Sequence, residues 1–144
     1  MPDTVFSIGY EGASVDDITA ALRRAGVTLL ADVRAVAASR KKGMSKTALA
    51  AHLKEAGIDY VHYRALGTPK EGRNAARRGD HATMHEVYDD HLATEEAQHA
   101  LDLLIEEARA QPTCLLCFER EPGDCHRDIV AMRMEGFAHE ALRP

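Results

Sequence analysis

The sequence predicts an α/β fold, and two observations support the prediction. Five short segments rich in apolar residues recur along the chain, and polar turns follow most of them. Between them lie longer segments whose apolar residues return at helical spacing. Strands that alternate with helices in this way form mostly parallel sheets covered by helices on both faces. We therefore expect a Rossmann-like, three-layer arrangement with a sheet of about five strands, and residues 1–144 as a single domain.

The predicted elements follow the order β-α-β-α-β-α-β-α-β. The strand candidates read VFSI (5–8), VTLLADV (27–33), IDYVHY (58–63), TCLLCF (113–118) and FAHEAL (137–142). Ser14 and Ser45 are suitable N-caps for the first two helices, and Gly26 and Gly57 are suitable C-terminal residues. These signals indicate two helices that link the first three strands.

The second half of the chain is harder to divide. Residues 64–83 are polar, highly charged and contain glycine, so we expect mostly loop. Apolar residues at helical spacing predict one long helix over roughly 84–110, and Pro112 ends it. Asp124 is a candidate cap for a last helix that runs from Cys125 to about Glu135.

Composition restricts the class of protein. The 144 residues are 45% hydrophobic and 28% charged, an ordinary globular balance, and 18 basic against 23 acidic residues give a net charge of −5. No segment approaches the roughly 18 apolar residues of a membrane helix, and the first residues lack the pattern of a signal peptide. Three cysteines do not suggest a disulfide framework. We expect a cytoplasmic protein without a membrane partner, and the sequence indicates neither a cofactor nor an oligomeric state.

Polar residues collect where the predicted strands end. In an open parallel sheet, ligands bind beyond the carboxyl ends of the strands, near the switch in strand order. With the order 3-2-1-4-5, the first and fourth strands would meet at that point. The residues at these ends are Tyr10, Glu11, Asp32, Arg34, Arg64, Thr68, Lys70, Cys117 and Glu119.

Two basic segments are expected at the same edge. Residues 33–54 carry six basic and no acidic residues, and residues 64–78 carry five basic residues and one acidic residue. In an acidic protein, this clustering favours a positive field over a cleft. An anionic small molecule, such as a phosphate ester or nucleotide, is one partner of suitable charge, and a nucleic acid is another. Two solvated loops remain the structural alternative.

Four motifs together resemble those of a known family. They are SIGYEG (7–12), DVRAVAASR (32–40), YRALGTPK (63–70) and LLCFEREPGDCHR (115–127). Their order and spacing are similar to those of the bacterial and archaeal family called domain of unknown function 488. The resemblance implies a compact α/β domain and a cluster of motif residues like an active site, but it implies no particular reaction.

The resemblance selects residues by their position in the motifs. Family members often carry a proline two residues before the serine of the second motif, where this chain has Ala37. The matching residues are Gly9, Tyr10, Glu11, Gly12, Asp32, Arg34, Ser39, Arg40, Leu66, Gly67, Thr68, Cys117, Glu119, Cys125, His126 and Arg127.

The cysteines of the fourth motif allow several chemistries. Structural zinc is disfavoured because Cys114 and Cys117 lie in one strand, where alternation points them to opposite faces. We assign no metal ligand, although a looser site that uses Cys117, Cys125 or His126 stays open. A redox pair of Cys117 and Cys125 requires the segment between them to fold back. Cys125 at a helix start is also a candidate nucleophile, but the phosphatase pattern C-x5-R is absent.

An anion pocket needs the fewest special assumptions. Arg127 would add a guanidinium to the free N–H groups of a helix start, and Arg34 would approach from the neighbouring strand. The candidate substrate-binding residues are Tyr10, Arg34, Ser39, Arg40, Thr68 and Arg127. Carboxylates and a histidine supply acid–base chemistry, with Cys125 as the thiol. The candidate catalytic residues are Glu11, Asp32, Glu119, Cys125 and His126.

The sequence thus favours hydrolysis or group transfer on a nucleotide-like or phosphorylated substrate. Two other functions stay open, namely a nucleic-acid-binding accessory module and a cysteine-based redox or metal protein. The structural alternative is a salt-bridge network that pins the strand ends. Its members would be Asp32, Arg34, Glu119 and Arg127.

Overall fold

The computed structural model describes residues 3–120 and 126–144. In this part of the chain, the strands are β1 (Asp3–Gly9), β2 (Leu29–Asp32), β3 (Asp59–His62), β4 (Thr113–Cys117) and β5 (Phe137–Ala141). The α-helices are α1 (Val15–Arg24), α2 (Lys46–Glu55), α3 (Lys70–Arg77), α4 (His81–Leu92), α5 (Glu95–Ala110) and α6 (His126–Met132). No helix described is long and apolar enough to cross a membrane.

The sheet is parallel throughout, and its strand order is β3-β2-β4-β1-β5. The mostly parallel sheet is confirmed, and so is the pairing of β1 with β4. The expected order 3-2-1-4-5 is wrong, because β4 lies between β2 and β1 and because β5 pairs with β1. Burial agrees with the edge and interior positions: every residue of β2 and β4 is buried, whereas β3 and β5 alternate with exposed residues as edge strands do.

Helices cover both faces of the sheet, as the three-layer prediction requires. Successive side chains of a strand point to opposite faces, so Leu116 and Leu115 belong to different cores. Leu116 packs in the core that contains the buried residues of α1 and α2. Leu115 packs in the core that contains those of α3, α4, α5 and α6.

Residues 64–83 are not mostly loop. Arg64–Leu66 forms a single 3-10 turn, helix α3 follows, and α4 begins at His81. Gly79 adopts φ 77°, and the side chain of Asp80 accepts a hydrogen bond from Thr83 N at 3.1 Å, so these two residues separate α3 from α4. The sequence prediction failed because α3 buries little more than Gly72 and Ala75 and has no apolar stripe.

The single helix expected over 84–110 is two helices. Helix α4 ends at Leu92, and Thr94 caps α5 by accepting a hydrogen bond from Ala97 N at 3.3 Å. A threonine inside a helical pattern competes for backbone hydrogen bonds, and this one starts a new helix. The earlier prediction of a serine cap at α1 is confirmed by reciprocal hydrogen bonds between Ser14 and Asp17.

Candidate active site

A cavity of about 560 Å³ lies where the carboxyl ends of β1, β2 and β4 meet. Helices α2 and α6, which follow β2 and β4, pack on opposite faces of the sheet. The adjacent strands β2 and β4 therefore flank a topological switch point, where open α/β sheets bind their ligands. The volume falls within the roughly 300–1,000 Å³ typical of small-molecule sites. Five of the candidate catalytic and substrate-binding residues line it, and so does the motif residue Cys117. The five are Tyr10, Arg34, Thr68, Glu119 and His126.

Asp32 and Arg34 form an ion pair at the floor of this region. Arg34 Nε donates to Asp32 Oδ1 at 2.8 Å, and Arg34 Nη2 donates to Asp32 Oδ2 at 2.6 Å. Burial acts to lower the pKa of Arg34, but the hydrogen bonds and charge of Asp32 outweigh it and raise that pKa above its usual range. Arg34 therefore stays charged, and the carboxylate beside it balances most of this charge.

The Asp32 carboxylate is fully engaged by its neighbours. It accepts the backbone N–H of Arg34 at 3.0 Å and the hydroxyl of Tyr60. Burial, together with the hydrogen bond and charge of Asp32, raises the pKa of Tyr60. Asp32 does not line the cavity. Its immediate role is to orient Arg34, which agrees with the structural alternative for these two residues.

The Nη1 atom of Arg34 forms hydrogen bonds that connect the loop after β2 with the loop after β1. Arg34 Nη1 donates to the carbonyl of Met44 at 2.7 Å and to the hydroxyl of Tyr10 at 3.4 Å. The guanidinium carbon lies 5.4 Å from the centre of the Tyr10 ring. Tyr10 N in turn donates to Cys117 O at 3.2 Å, so the β1–β4 ladder continues into the site.

Two motif glycines allow the site loops to touch. A Cβ atom on Gly67 would lie 2.2 Å from Ala35 Cα, so the third motif packs directly on the backbone of the second. A Cβ atom on Gly9 would lie 1.8 Å from the carbonyl oxygen of Glu119, so the first motif packs in the same way on the fourth. Only glycine permits such close backbone contact.

Two histidine side chains donate hydrogen bonds to backbone carbonyl groups of the loop after β2. His126 Nε2 donates to Val33 O at 2.5 Å, and His62 Nε2 donates to Arg34 O at 2.7 Å. A carbonyl can only accept, so both Nε2 atoms carry the proton. Burial lowers the pKa of His126 to about 4, so its imidazole is neutral near pH 7. His126 Nδ1 lies 3.5 Å from the sulfur of Cys117.

Arg127 binds protein backbone. It is fully buried, Nη1 donates to the carbonyl of Glu119, and Nη2 donates to the carbonyl of Arg120 at 3.1 Å. Its Nε has no hydrogen-bond partner among the described residues, and burial lowers the pKa of the guanidinium. Arg127 does not line the cavity. The salt-bridge network expected from the sequence is therefore seen only in part. Asp32 pairs with Arg34, whereas Arg127 bonds to the backbone carbonyl of Glu119.

Three other candidate catalytic or substrate-binding residues also lie off the cavity wall. Glu11 Oε1 accepts the backbone N–H of Arg120 at 3.0 Å, and Ser39 N donates to Ser45 Oγ at 2.9 Å. Arg40 is exposed on the same loop as Ser39. Cys125 lies outside the described residues, as does any pairing of it with Cys117. In the two described segments, no group of three or more His, Cys, Asp or Glu side chains could hold a metal ion.

Eight residues that line the cavity are not among those selected from the sequence: Ala35, Val36, Ala38, Arg73, Ala76, Arg77, Met84 and Phe118. Arg73 and Arg77 are four residues apart on α3, so they lie on one face of that helix. The sequence prediction includes both only as members of the basic segment 64–78. Their i, i+4 spacing is the sequence signal that indicates a shared helical face. Arg73 Nη1 donates to Thr68 O at 2.8 Å, which places the third motif beside this face.

Fold and site together define a three-layer α/β protein with a cavity at the carboxyl edge of its parallel sheet. The family model described as "Domain of unknown function DUF488" matches residues 14–134, and the chain belongs to this family. The resemblance seen in the motifs is thereby confirmed, although the first motif at 7–12 precedes the matched range. Searches for similar proteins found no match among curated proteins and none among solved structures.

Proposed function

We propose that this protein is an enzyme that binds a phosphate-bearing small molecule in the cavity and hydrolyses it or transfers a group from it. The observation that carries the proposal is the convergence of Arg34, Arg73 and Arg77 on one cavity in a protein of net charge −5. Arginine guanidinium groups match phosphate oxygens in charge and in bidentate geometry.

The positive charge available to a ligand comes chiefly from α3. Arg34 is paired with Asp32 at 2.6 Å, so its charge is largely compensated. Arg73 and Arg77 have no carboxylate within salt-bridge distance among the described residues, and Arg77 is exposed. We assign phosphate binding to these two arginines, with Arg34 and Tyr10 as the wall beside them.

Glu119 is the best candidate for acid–base chemistry. It lines the cavity, is half-buried, and its Oε2 lies 3.4 Å from the sulfur of Cys117. Glu11 and Asp32 accept hydrogen bonds from the protein and do not line the cavity. His126 lines the cavity, but its Nε2 proton is committed to Val33 O, so we assign it a positioning role.

Adjacent arginines provide a matched test of anion binding. Both side chains are exposed, but Arg77 lines the cavity, whereas Arg78 lies off its wall and reaches Asp80 at 3.9 Å. Titration calorimetry with inorganic phosphate should give a Kd about tenfold weaker for Arg77→Ala, a loss of about 1.4 kcal/mol. Arg78→Ala should leave the Kd unchanged. Equal effects of the two substitutions would show nonspecific attraction and would overturn the proposal.

A screen of phosphate esters tests the catalytic part. Glu119→Gln keeps the shape of the side chain and removes its ability to take up a proton at neutral pH. Turnover should fall at least about 100-fold, the usual contribution of a general acid or base, while phosphate binding persists. Full turnover in Glu119→Gln would remove Glu119 from the mechanism.

Exposed basic residues keep the nucleic-acid alternative testable. Arg40, Lys42, Lys46, Arg64 and Lys70 are exposed, and no carboxylate pairs with them in the described residues. Binding to nucleic acid through these groups should weaken steeply as salt increases. A gel-shift titration with single- and double-stranded DNA or RNA distinguishes the alternatives, because the cavity proposal requires no such binding.

A further inference from the structure

We infer that the substrate carries a planar heteroaromatic ring together with its phosphate, as a nucleoside monophosphate does. This inference rests on the proposed function, since it names the substrate class of the same cavity. Its starting point is two exposed apolar side chains on the cavity wall: Phe118 is 46% exposed and Val36 is 56% exposed. They follow β4 and β2, the two adjacent strands that flank the switch point.

The Phe118 ring is held by a chain of contacts. Its centre lies 5.3 Å from that of Tyr10, and the two ring planes are 78° apart, an edge-to-face arrangement. Tyr10 is fixed in turn by Arg34, which is fixed by Asp32. The aromatic surface is therefore oriented before any ligand arrives. Ordering a side chain in advance reduces the entropy lost on binding.

The cavity wall has two chemical parts that come from different elements. The loops after β2 and β4 contribute the apolar side chains of Val36 and Phe118, with the buried Met84 of α4. Helix α3 contributes the guanidinium groups of Arg73 and Arg77. Inorganic phosphate or a sugar phosphate would use only the basic part. A nucleoside monophosphate would use both, with its base on Phe118 and its phosphate on α3.

Calorimetric titration of the full chain tests the inference with six probes: AMP, GMP, CMP, UMP, ribose 5-phosphate and inorganic phosphate. At least one nucleotide should bind tenfold or more tightly than ribose 5-phosphate, which has the same phosphate but no base. Phe118→Ala should weaken nucleotide binding about tenfold, the effect of one lost stacking partner. It should leave the Kd for ribose 5-phosphate unchanged.

Three further variants keep the test specific. Phe118→Tyr retains the ring and should retain nucleotide affinity, whereas Phe118→Leu keeps an apolar side chain without a ring and should lose it. Met132→Ala removes another exposed apolar side chain, 77% exposed and off the cavity wall, and should change nothing. Phe118→Leu also replaces Phe118→Ala as the reporter if the alanine variant fails to fold.

The outcomes separate the inference from the proposed function. If ribose 5-phosphate binds through Arg77 and no nucleotide binds more tightly, the inference is wrong and the proposed function stands. If no probe binds, both are wrong. If nucleotides bind but Phe118→Ala has no effect on them, the base does not stack on Phe118 and the inference is overturned.

Discussion

Asp32 and Arg34 form a bidentate ion pair in which the carboxylate is 0% exposed and the guanidinium residue 5% exposed. Removal of one partner from a buried pair leaves an uncompensated charge. Asp32→Asn should therefore lower the free energy of unfolding by about 3–5 kcal/mol. Urea denaturation followed by circular dichroism measures the change.

The surface pair of Asp89 and Arg133 is the matched control. Its N–O distance is 2.8 Å, close to that of the buried pair, but both side chains are exposed. Asp89→Asn should cost no more than about 1 kcal/mol because solvent screens the pair. A loss of the same size at both sites would contradict the role assigned to burial.

The neutral imidazole of His126 predicts acid sensitivity. Burial lowers its pKa to about 4 from an ordinary 6.5. Between these values, the unfolded chain binds a proton that the folded protein does not, so stability is lost as the pH falls from about 6.5 towards 4. Between pH 7 and pH 5 this contribution is about 2 kcal/mol.

His126→Gln should remove that share of the pH dependence, since glutamine can still donate to Val33 O but does not titrate. Urea denaturation of parent and variant at pH 7 and pH 5 gives the comparison. His99→Gln, at an exposed position of α5, is the control and should keep the parent's dependence. An unchanged difference between the two pH values in His126→Gln would show that His126 is not the titrating group.

Gly67→Ala tests the direct contact between the second and third motifs. Gly67 has φ −77°, which alanine adopts freely, so any cost arises from overlap of the new Cβ with Ala35. We expect a loss of at least about 3 kcal/mol, at the upper end of overpacking effects. Gly79→Ala is the contrasting control: φ is +77° with no atom within 4 Å, so only backbone strain of about 1–2 kcal/mol applies.

Denaturant unfolding measures both glycine variants, and amide chemical shifts show where each perturbation lies. Shifts in Gly67→Ala should extend to residues 34–36, whereas those in Gly79→Ala should stay between α3 and α4. A Gly67→Ala variant as stable as its parent would mean that the two loops separate without cost.

The buried hydroxyl of Tyr88, on α4, forms a hydrogen bond with the third motif. It donates to Leu66 O at 2.5 Å. Tyr88→Phe would leave that carbonyl without its donor, at a cost of about 1–2 kcal/mol. Tyr63→Phe is the comparison, because the structure gives the Tyr63 hydroxyl no hydrogen bond among the described residues. Thermal unfolding should therefore separate the variants, and equal losses would contradict the importance of this bond.

The architecture could be predicted because the physical signals were local. Leu115 and Leu116 lie in a continuous apolar run, and Ser14 with Asp17 forms a reciprocal cap that the spacing shows directly. The strand order depends instead on pairings between distant segments, and burial does not reveal it because β2 and β4 are both fully buried. Helix α3 was missed because Arg73 and Arg77 face a cavity rather than a core.

The sequence selected some of the residues that line the cavity, because their motif positions are local signals. Tyr10, Arg34 and Glu119, which the motif positions selected, line the cavity. The motif positions could not reveal that Arg127 binds the carbonyls of Glu119 and Arg120, because such partners have no side-chain signature. Phe118 was not predicted as a site residue, because an aromatic residue at the end of an apolar strand is usually buried in the core.

The position of β4 between β2 and β1 constrains how the protein is made. During synthesis β1, β2 and β3 emerge first, yet β1 and β2 share no hydrogen-bonded neighbour until residues 113–117 appear. The pairings of β4 join residues more than 80 positions apart in the case of β2 and more than 100 in the case of β1. Such non-local contacts slow folding and leave strand edges exposed to other chains. Residues 113–117 therefore mark the earliest point in the chain at which β1 and β2 can be joined in one sheet.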